Sequence, residues 1–231
     1  MRKVFGILLL ASCFTAHAYD LLQDVRYTMG PEFQGMSKTQ FSVGLASSFN
    51  SEARVPIAMQ GQLSKYLEVG GKVLMETYEG KDWRGNIDVG AKFRFSSGSF
   101  IAFDGYFGIN RDNGGALALT YGNRHNVAKN FYMDYEARAA IGDAVVYPDG
   151  LFKLAAGVKP TLRFGEPVTA SIEINTSGTV DELDDDYRMD LIPRLDIRIG
   201  SITLRGEYNI AILLEDNNTR NVIGLYVLYG F

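Results

Sequence analysis

Arg220-Asn221-Val222-Ile223-Gly224-Leu225-Tyr226-Val227-Leu228-Tyr229-Gly230-Phe231 is the stretch that decides the fold. Every second residue back from Phe231 is Tyr229, Val227, Leu225 and Ile223, all apolar or aromatic. The alternate set is Gly230, Leu228, Tyr226, Gly224 and Val222. A period of two is the signature of a β-strand. An unprotected sheet edge recruits other chains, and pairing the last strand with the first removes that edge.

The same alternation recurs upstream. Strands are expected at residues 39–49, 53–63, 67–78, 85–95, 100–110, 115–124, 131–141, 151–164, 168–176, 187–199, 202–213 and 220–231. Their lengths suit the ~9–11 residues that a tilted strand needs to cross a bilayer. The fold class expected is all-β: a transmembrane, antiparallel, up-and-down β-barrel of twelve strands, with ten or fourteen as alternatives. The connectors alternate as well. Ser64-Lys65-Tyr66, Ser96-Ser97-Gly98-Ser99, Gly165-Glu166-Pro167 and Gly200-Ser201 are short turns. Residues 79–84, 110–114, 143–150, 177–186 and 215–219 are longer and more charged. Residues 123–130 break the alternation, being long on the short-turn side. Pro160 and Pro193 fall inside expected strands, where each deletes a ladder hydrogen bond, so bulges or shifted boundaries are expected there.

Within most strands one parity is apolar. Ile87, Val89, Ala91, Phe93 and Phe95 alternate with Asn86, Asp88, Gly90, Lys92 and Arg94. Leu191, Leu195, Ile197 and Ile199 alternate with Asp190, Arg194, Asp196 and Arg198. A soluble barrel would bury the apolar set, whereas a membrane barrel turns it to lipid. Small residues on the ionic parity, such as Gly44, Ala46, Gly90, Gly122, Gly157 and Gly224, favour a lumen. A lipid-facing charge near the midplane costs about 2–4 kcal/mol, so one parity must stay clean. Aromatics near strand ends (Tyr78, Trp83, Phe95, Phe100, Phe131, Phe152, Phe164, Tyr187 and Phe231) read as interfacial girdles.

A terminal Phe after alternating hydrophobics resembles the closing strand of bacterial outer-membrane β-barrels. Phe231, Tyr229, Val227 and Leu225 carry that resemblance. In that family the strand is the signal read by the barrel-assembly machinery. The resemblance implies a Gram-negative outer membrane, with membrane lipid and lipopolysaccharide as surroundings and a monomeric state. In mature size the chain is similar to small monomeric porins for acidic oligosaccharides.

The first residues read as an export signal. Arg2 and Lys3 precede an apolar core, and Ala16-His17-Ala18 is a cleavage site. The domains expected are a signal peptide over residues 1–18, a lead-in or lumen segment over 19–37, and the barrel over 38–231. Leu10-Ala11-Ser12-Cys13 offers a competing lipobox reading. Cys13 is the only cysteine, so a chain cleaved after Ala18 has no disulfide and no thiolate metal site. Net charge is −4, and nothing resembles a phosphate loop or a nucleic-acid surface.

The inward charges are the candidate site. Lys153, Lys159 and Arg163 form one basic strand; Arg188, Arg194 and Arg198 form another, interspersed with Asp190 and Asp196. Lys72, Lys92, Arg94 and Arg205 add cations, while Glu68, Glu76, Asp88 and Asp104 tilt the opposite wall acidic. Strands one, two and twelve contribute almost no inward charge. Facing charged walls make a transverse field in a pore, and basic ladders guide anions. The same residues could instead pair across strands and close the lumen. The expected function is a passive pore for small hydrophilic solutes, anions among them; a closed structural or surface-interaction barrel is the alternative. No catalytic group, metal or cofactor is expected. His125 sits in a connector as a polar turn residue, and the acidic run Asp181, Glu182, Asp184, Asp185 and Asp186 reads as a solvated external loop.

Overall fold

In hydrocarbon every backbone N–H and C=O must find a partner inside the protein, and a chain that alternates apolar and polar residues meets that demand as a closed sheet. The computed structural model describes residues 39–48, 52–78, 83–95, 98–109, 114–142, 152–180, 187–213 and 219–231. Twelve strands are present: β1 (Thr39–Ser48), β2 (Glu52–Gln62), β3 (Leu67–Tyr78), β4 (Arg84–Arg94), β5 (Ser99–Ile109), β6 (Gly115–Ala128), β7 (Phe131–Ile141), β8 (Lys153–Phe164), β9 (Val168–Thr179), β10 (Arg188–Ile199), β11 (Ile202–Leu213) and β12 (Thr219–Gly230). Each pairs antiparallel with its sequence neighbours, and β12 returns to β1 to close the barrel. The closing register runs from Gln40↔Gly230 to Ser48↔Val222. Beyond it, Thr39 N–H donates to the Phe231 carbonyl at 3.2 Å and Phe231 N–H donates to the Thr39 carbonyl at 3.0 Å. The expected signal peptide, the lead-in segment, Cys13 and the acidic run at 181–186 lie outside the described residues.

The two faces are sorted as a membrane barrel requires. Outward-facing Leu225 is 65% exposed and Phe103 55%, whereas inward-facing Lys92 is 1% and Asp190 0% exposed. This inversion excludes the soluble alternative, whose Phe93, Leu195 and Val227 would be buried; all three are exposed. Trp83, Phe95, Phe164, Tyr187 and Phe231 are exposed at strand ends, where interfacial aromatics belong. Phe100 is a correction to the expected girdle. It shares parity with Ala102 and Asp104, faces the lumen and is buried.

The connector at 123–130 is also corrected. β6 continues to Ala128, with a register shift between Asn126 and Ala128, and only Lys129-Asn130 form the turn. Polar residues there resemble a loop, but on this parity polar means inward: Arg124 opposes Asp134. All connectors on the side of the chain ends are therefore short. Gly165 and Gly200 take φ +73° and +61° in two of them, a conformation that L side chains rarely adopt. His125 lies in β6 opposite Met133, exposed on the outer parity, not in a connector.

The prolines produce no bulges. Pro193 opposes Ile172 across β9, while pairing to β11 lapses between Leu191↔Ile210 and Arg194↔Glu207 and resumes in the same register. Pro160 opposes Met133, and pairing to β9 lapses between Val158↔Ile174 and Thr161↔Ser171. Pro56 opposes Leu74, with the lapse towards β1. Each ring removes one donor from one ladder and leaves the other intact.

Leu225→Arg tests the orientation of the faces. Placed mid-strand on the outer face, the charge should lower the unfolding free energy in lipid vesicles by about 2–4 kcal/mol. Unchanged stability in a urea titration would reverse the assignment of inside and outside.

Candidate functional site: the ionic lumen

The lumen charges come from the polar parity of β2 to β11. Nearest the chain ends lie Glu68, Lys92, Arg94, Arg124, Asp134, Arg163, Asp196, Arg198 and Arg205, six cations against three carboxylates. Glu68 is held by Lys92 at 2.8 Å and by Arg94. Asp134 accepts a fork from Arg124 at 2.7 and 2.9 Å and faces Lys159 at 3.6 Å. Asp196 accepts a second fork from Arg205, both arms at 2.8 Å. Such two-armed pairs fix geometry as well as charge.

At half height the signs mix, because Lys72 is the sixth residue of β3, and Lys159 and Arg194 are sixth from the chain-end side of β8 and β10. Asp104, Glu136, Glu173 and Glu207 are each the sixth residue of β5, β7, β9 and β11, so alternate strands carry a carboxylate at one level. Arg194 spans two of them, reaching Glu173 at 3.3 Å and Glu207 at 3.4 Å. The other Glu207 oxygen accepts the Tyr226 hydroxyl at 2.7 Å, and Glu173 accepts from Asn175 at 2.7 Å. Glu136 meets Arg138 at 3.3 Å, and Arg138 also donates to the Thr120 hydroxyl at 2.6 Å. Both Asp104 oxygens lack a hydrogen-bond donor among the described residues, although the charges of Arg138, Lys92 and Lys72 act on it.

Nearer the loops, Arg54 approaches Glu76 at 3.9 Å and Arg188 forks onto Asp190 at 2.6 and 2.8 Å. Lys72 opposes Asp88 across β3 and β4, and Lys153 is buried at the start of β8. The named sequence candidates thus share the inner face, but not as a basic wall facing an acidic one. Lys72, Lys92 and Arg94 stand among Glu68, Glu76, Asp88 and Asp104, so opposite charges are neighbours on one wall.

Arg54 is an inward charge that sequence reading missed. Pro56 on its parity made β2 look neutral, and the Arg54↔Glu76 register is the missing signal. Tyr226 was read only as part of an uncharged wall. Its ring lies over Gly44 and Gly224, where any Cβ would overlap it, as Phe100 lies over Gly122 and Asp104 over Gly90. β12, β1 and β2 also present Ser42, Gly44, Ala46, Ser48, Ala58 and Gly224 inward, beside the larger Gln40, Gln60 and Leu228.

No family model and no curated protein matches the chain. Solved structures do. The KdgM porin in complex with disordered oligogalacturonate superposes with a TM-score of 0.63 at 12% identity, covering 83% of this chain and 99% of that one. The NanC porin gives 0.62 at 9% identity, covering 84% and 100%. The translocator domain of the autotransporter NalP from Neisseria meningitidis gives 0.59 at 11% identity, covering 96% and 100%. Likeness at these identities is one of fold. Fold and sorted faces together define a transmembrane β-barrel. Within that class the architecture is that of the small, twelve-stranded, porin-like barrels.

Arg194→Ala should leave Glu173 and Glu207 without their shared cation and cost about 3 kcal/mol of stability. Glu207→Gln in the same background should recover part of it. Urea unfolding in micelles reads both, and an Arg194→Ala variant as stable as wild type would remove the pair from the account.

Proposed function

We propose that the barrel is an outer-membrane pore for small hydrophilic solutes, anions in preference to cations. One observation carries the reading: the lumen wall is uneven. β3 to β11 send in long ionic side chains, whereas β12, β1 and β2 send in mostly uncharged ones. Twelve strands enclose more room than the eight that side chains alone fill, so the less ionic wall leaves a path beside the ionic lattice. The porin folds of KdgM and NanC support the reading, and the KdgM complex holds a ligand whose repeating unit bears a carboxylate. Cations outnumber carboxylates on the inner face, which favours anions. The reading includes no catalysis, a monomer, and assembly through the machinery that recognises Phe231, Tyr229, Val227 and Leu225.

A closed structural barrel is the second reading, and the burial of the lumen charges favours it. Lys153 is 2% and Glu173 1% exposed, little for groups that line open water.

Planar-bilayer recording separates the two. The pore should give discrete conductance steps with reversal potentials on the anion-selective side. Lys159→Ala and Arg194→Ala should move those potentials towards cations. Absence of steps from the refolded protein would leave the closed barrel, and unmoved potentials would deny the cations their guiding role.

A further inference from the structure

At the mouth on the side of the chain ends, the three carboxylates are already engaged: Glu68 by Lys92 and Arg94, Asp134 by Arg124 and Lys159, and Asp196 by Arg205. Two guanidiniums at the rim are not. Arg163 and Arg198 are both exposed to solvent, and neither meets a carboxylate among the described residues. Arg198 Nε donates only to the Gly200 carbonyl, at 3.2 Å. Arg163 stacks on the Tyr132 ring, 4.9 Å from its centroid, and Arg124 stacks on the same ring at 3.9 Å. Tyr132 is buried, so this stack fixes where Arg163 stands. The two rim arginines are one strand apart. Thr169 of β9 opposes Arg163 on one side and, on the other, Asp196, two residues before Arg198.

We propose that this rim is a binding site for a compact multivalent oxyanion. The guanidiniums of Arg163 and Arg198 contact the ligand, and Tyr132 is a positioning residue that holds Arg163. Guanidinium forks match the spacing of phosphate and carboxylate oxygens, and two forks favour a ligand with more than one charge. Both guanidiniums are exposed at that rim, so the site is reached from the side of the chain ends. This sidedness rests on the pore reading; the binding does not.

Calorimetric titration of the refolded, detergent-solubilised barrel with inorganic tripolyphosphate tests the site. Wild type should bind, and Arg163→Gln with Arg198→Gln should weaken binding by roughly tenfold or more. Lys65→Gln, on an exposed turn at the same end, should bind as wild type does. Tyr132→Phe should keep the affinity and Tyr132→Leu should lose it, whereas a purely space-filling Tyr132 would give equal affinity in both. No binding, or equal affinity in wild type and the double glutamine variant, overturns the site. In a planar bilayer, tripolyphosphate should reduce the current from the side of the chain ends only, and equal block from both sides overturns the sidedness. A silent barrel that still binds through Arg163 and Arg198 refutes the pore and keeps the site. A conducting barrel without arginine-dependent binding does the reverse.

Discussion

The pairing of β1 with β12 is the constraint on which the rest depends. Without it, two strands would present unpaired N–H and C=O groups to hydrocarbon, each costing several kcal/mol. With it, no edge is left, and the reciprocal hydrogen bonds between Thr39 and Phe231 extend the ladder to the last residue. Closure also forces the polarity. A closed sheet has one inside, so every strand must send the same parity there. A lumen of Lys, Arg, Asp and Glu follows from an exterior of Leu, Val, Ile and Phe.

That lumen is costly unless the ions meet. Desolvating charges outweighs their attraction unless geometry is good and lone pairs are filled. The forks from Arg124, Arg188 and Arg205 supply such geometry, and Arg194 serves two carboxylates at once. Glycine supplies the space. Tyr226, Phe100 and Asp104 lie against Gly44, Gly122 and Gly90 on neighbouring strands, so bulk on one strand is matched by its absence on the next. The lumen then carries an excess of cations near the chain ends and mixed charge at its waist.

Most of the fold was legible because alternation and turn chemistry are local. The strands lie close to where period two places them, and the sorting of Phe93 from Lys92 follows directly from parity. What escaped depends on register or on context. The end of β6 was lost because Arg124 and Asn126 look like loop residues, a rule that fails where the interior itself is polar. Phe100 was placed by its position at a strand end, although its parity with Asp104 already put it inside. The half-height carboxylates are visible one by one as inward acids. Their common level emerges only from the count along paired strands, which no single segment contains. Prolines were expected to deform the sheet; a strand with two ladders can lose a donor on one side and hold its register by the other.

Every ion pair described in the lumen lies within one strand or between strands consecutive in the chain. None bridges β12 and β1, where small residues and the Tyr226 ring meet. The ionic framework can therefore be completed hairpin by hairpin as strands arrive, with low loop-closure entropy at each step. The final zipping of first strand to last then has no ion pair to match among the described residues. It is a seam built to be sewn late, and reopening it would leave the salt lattice standing.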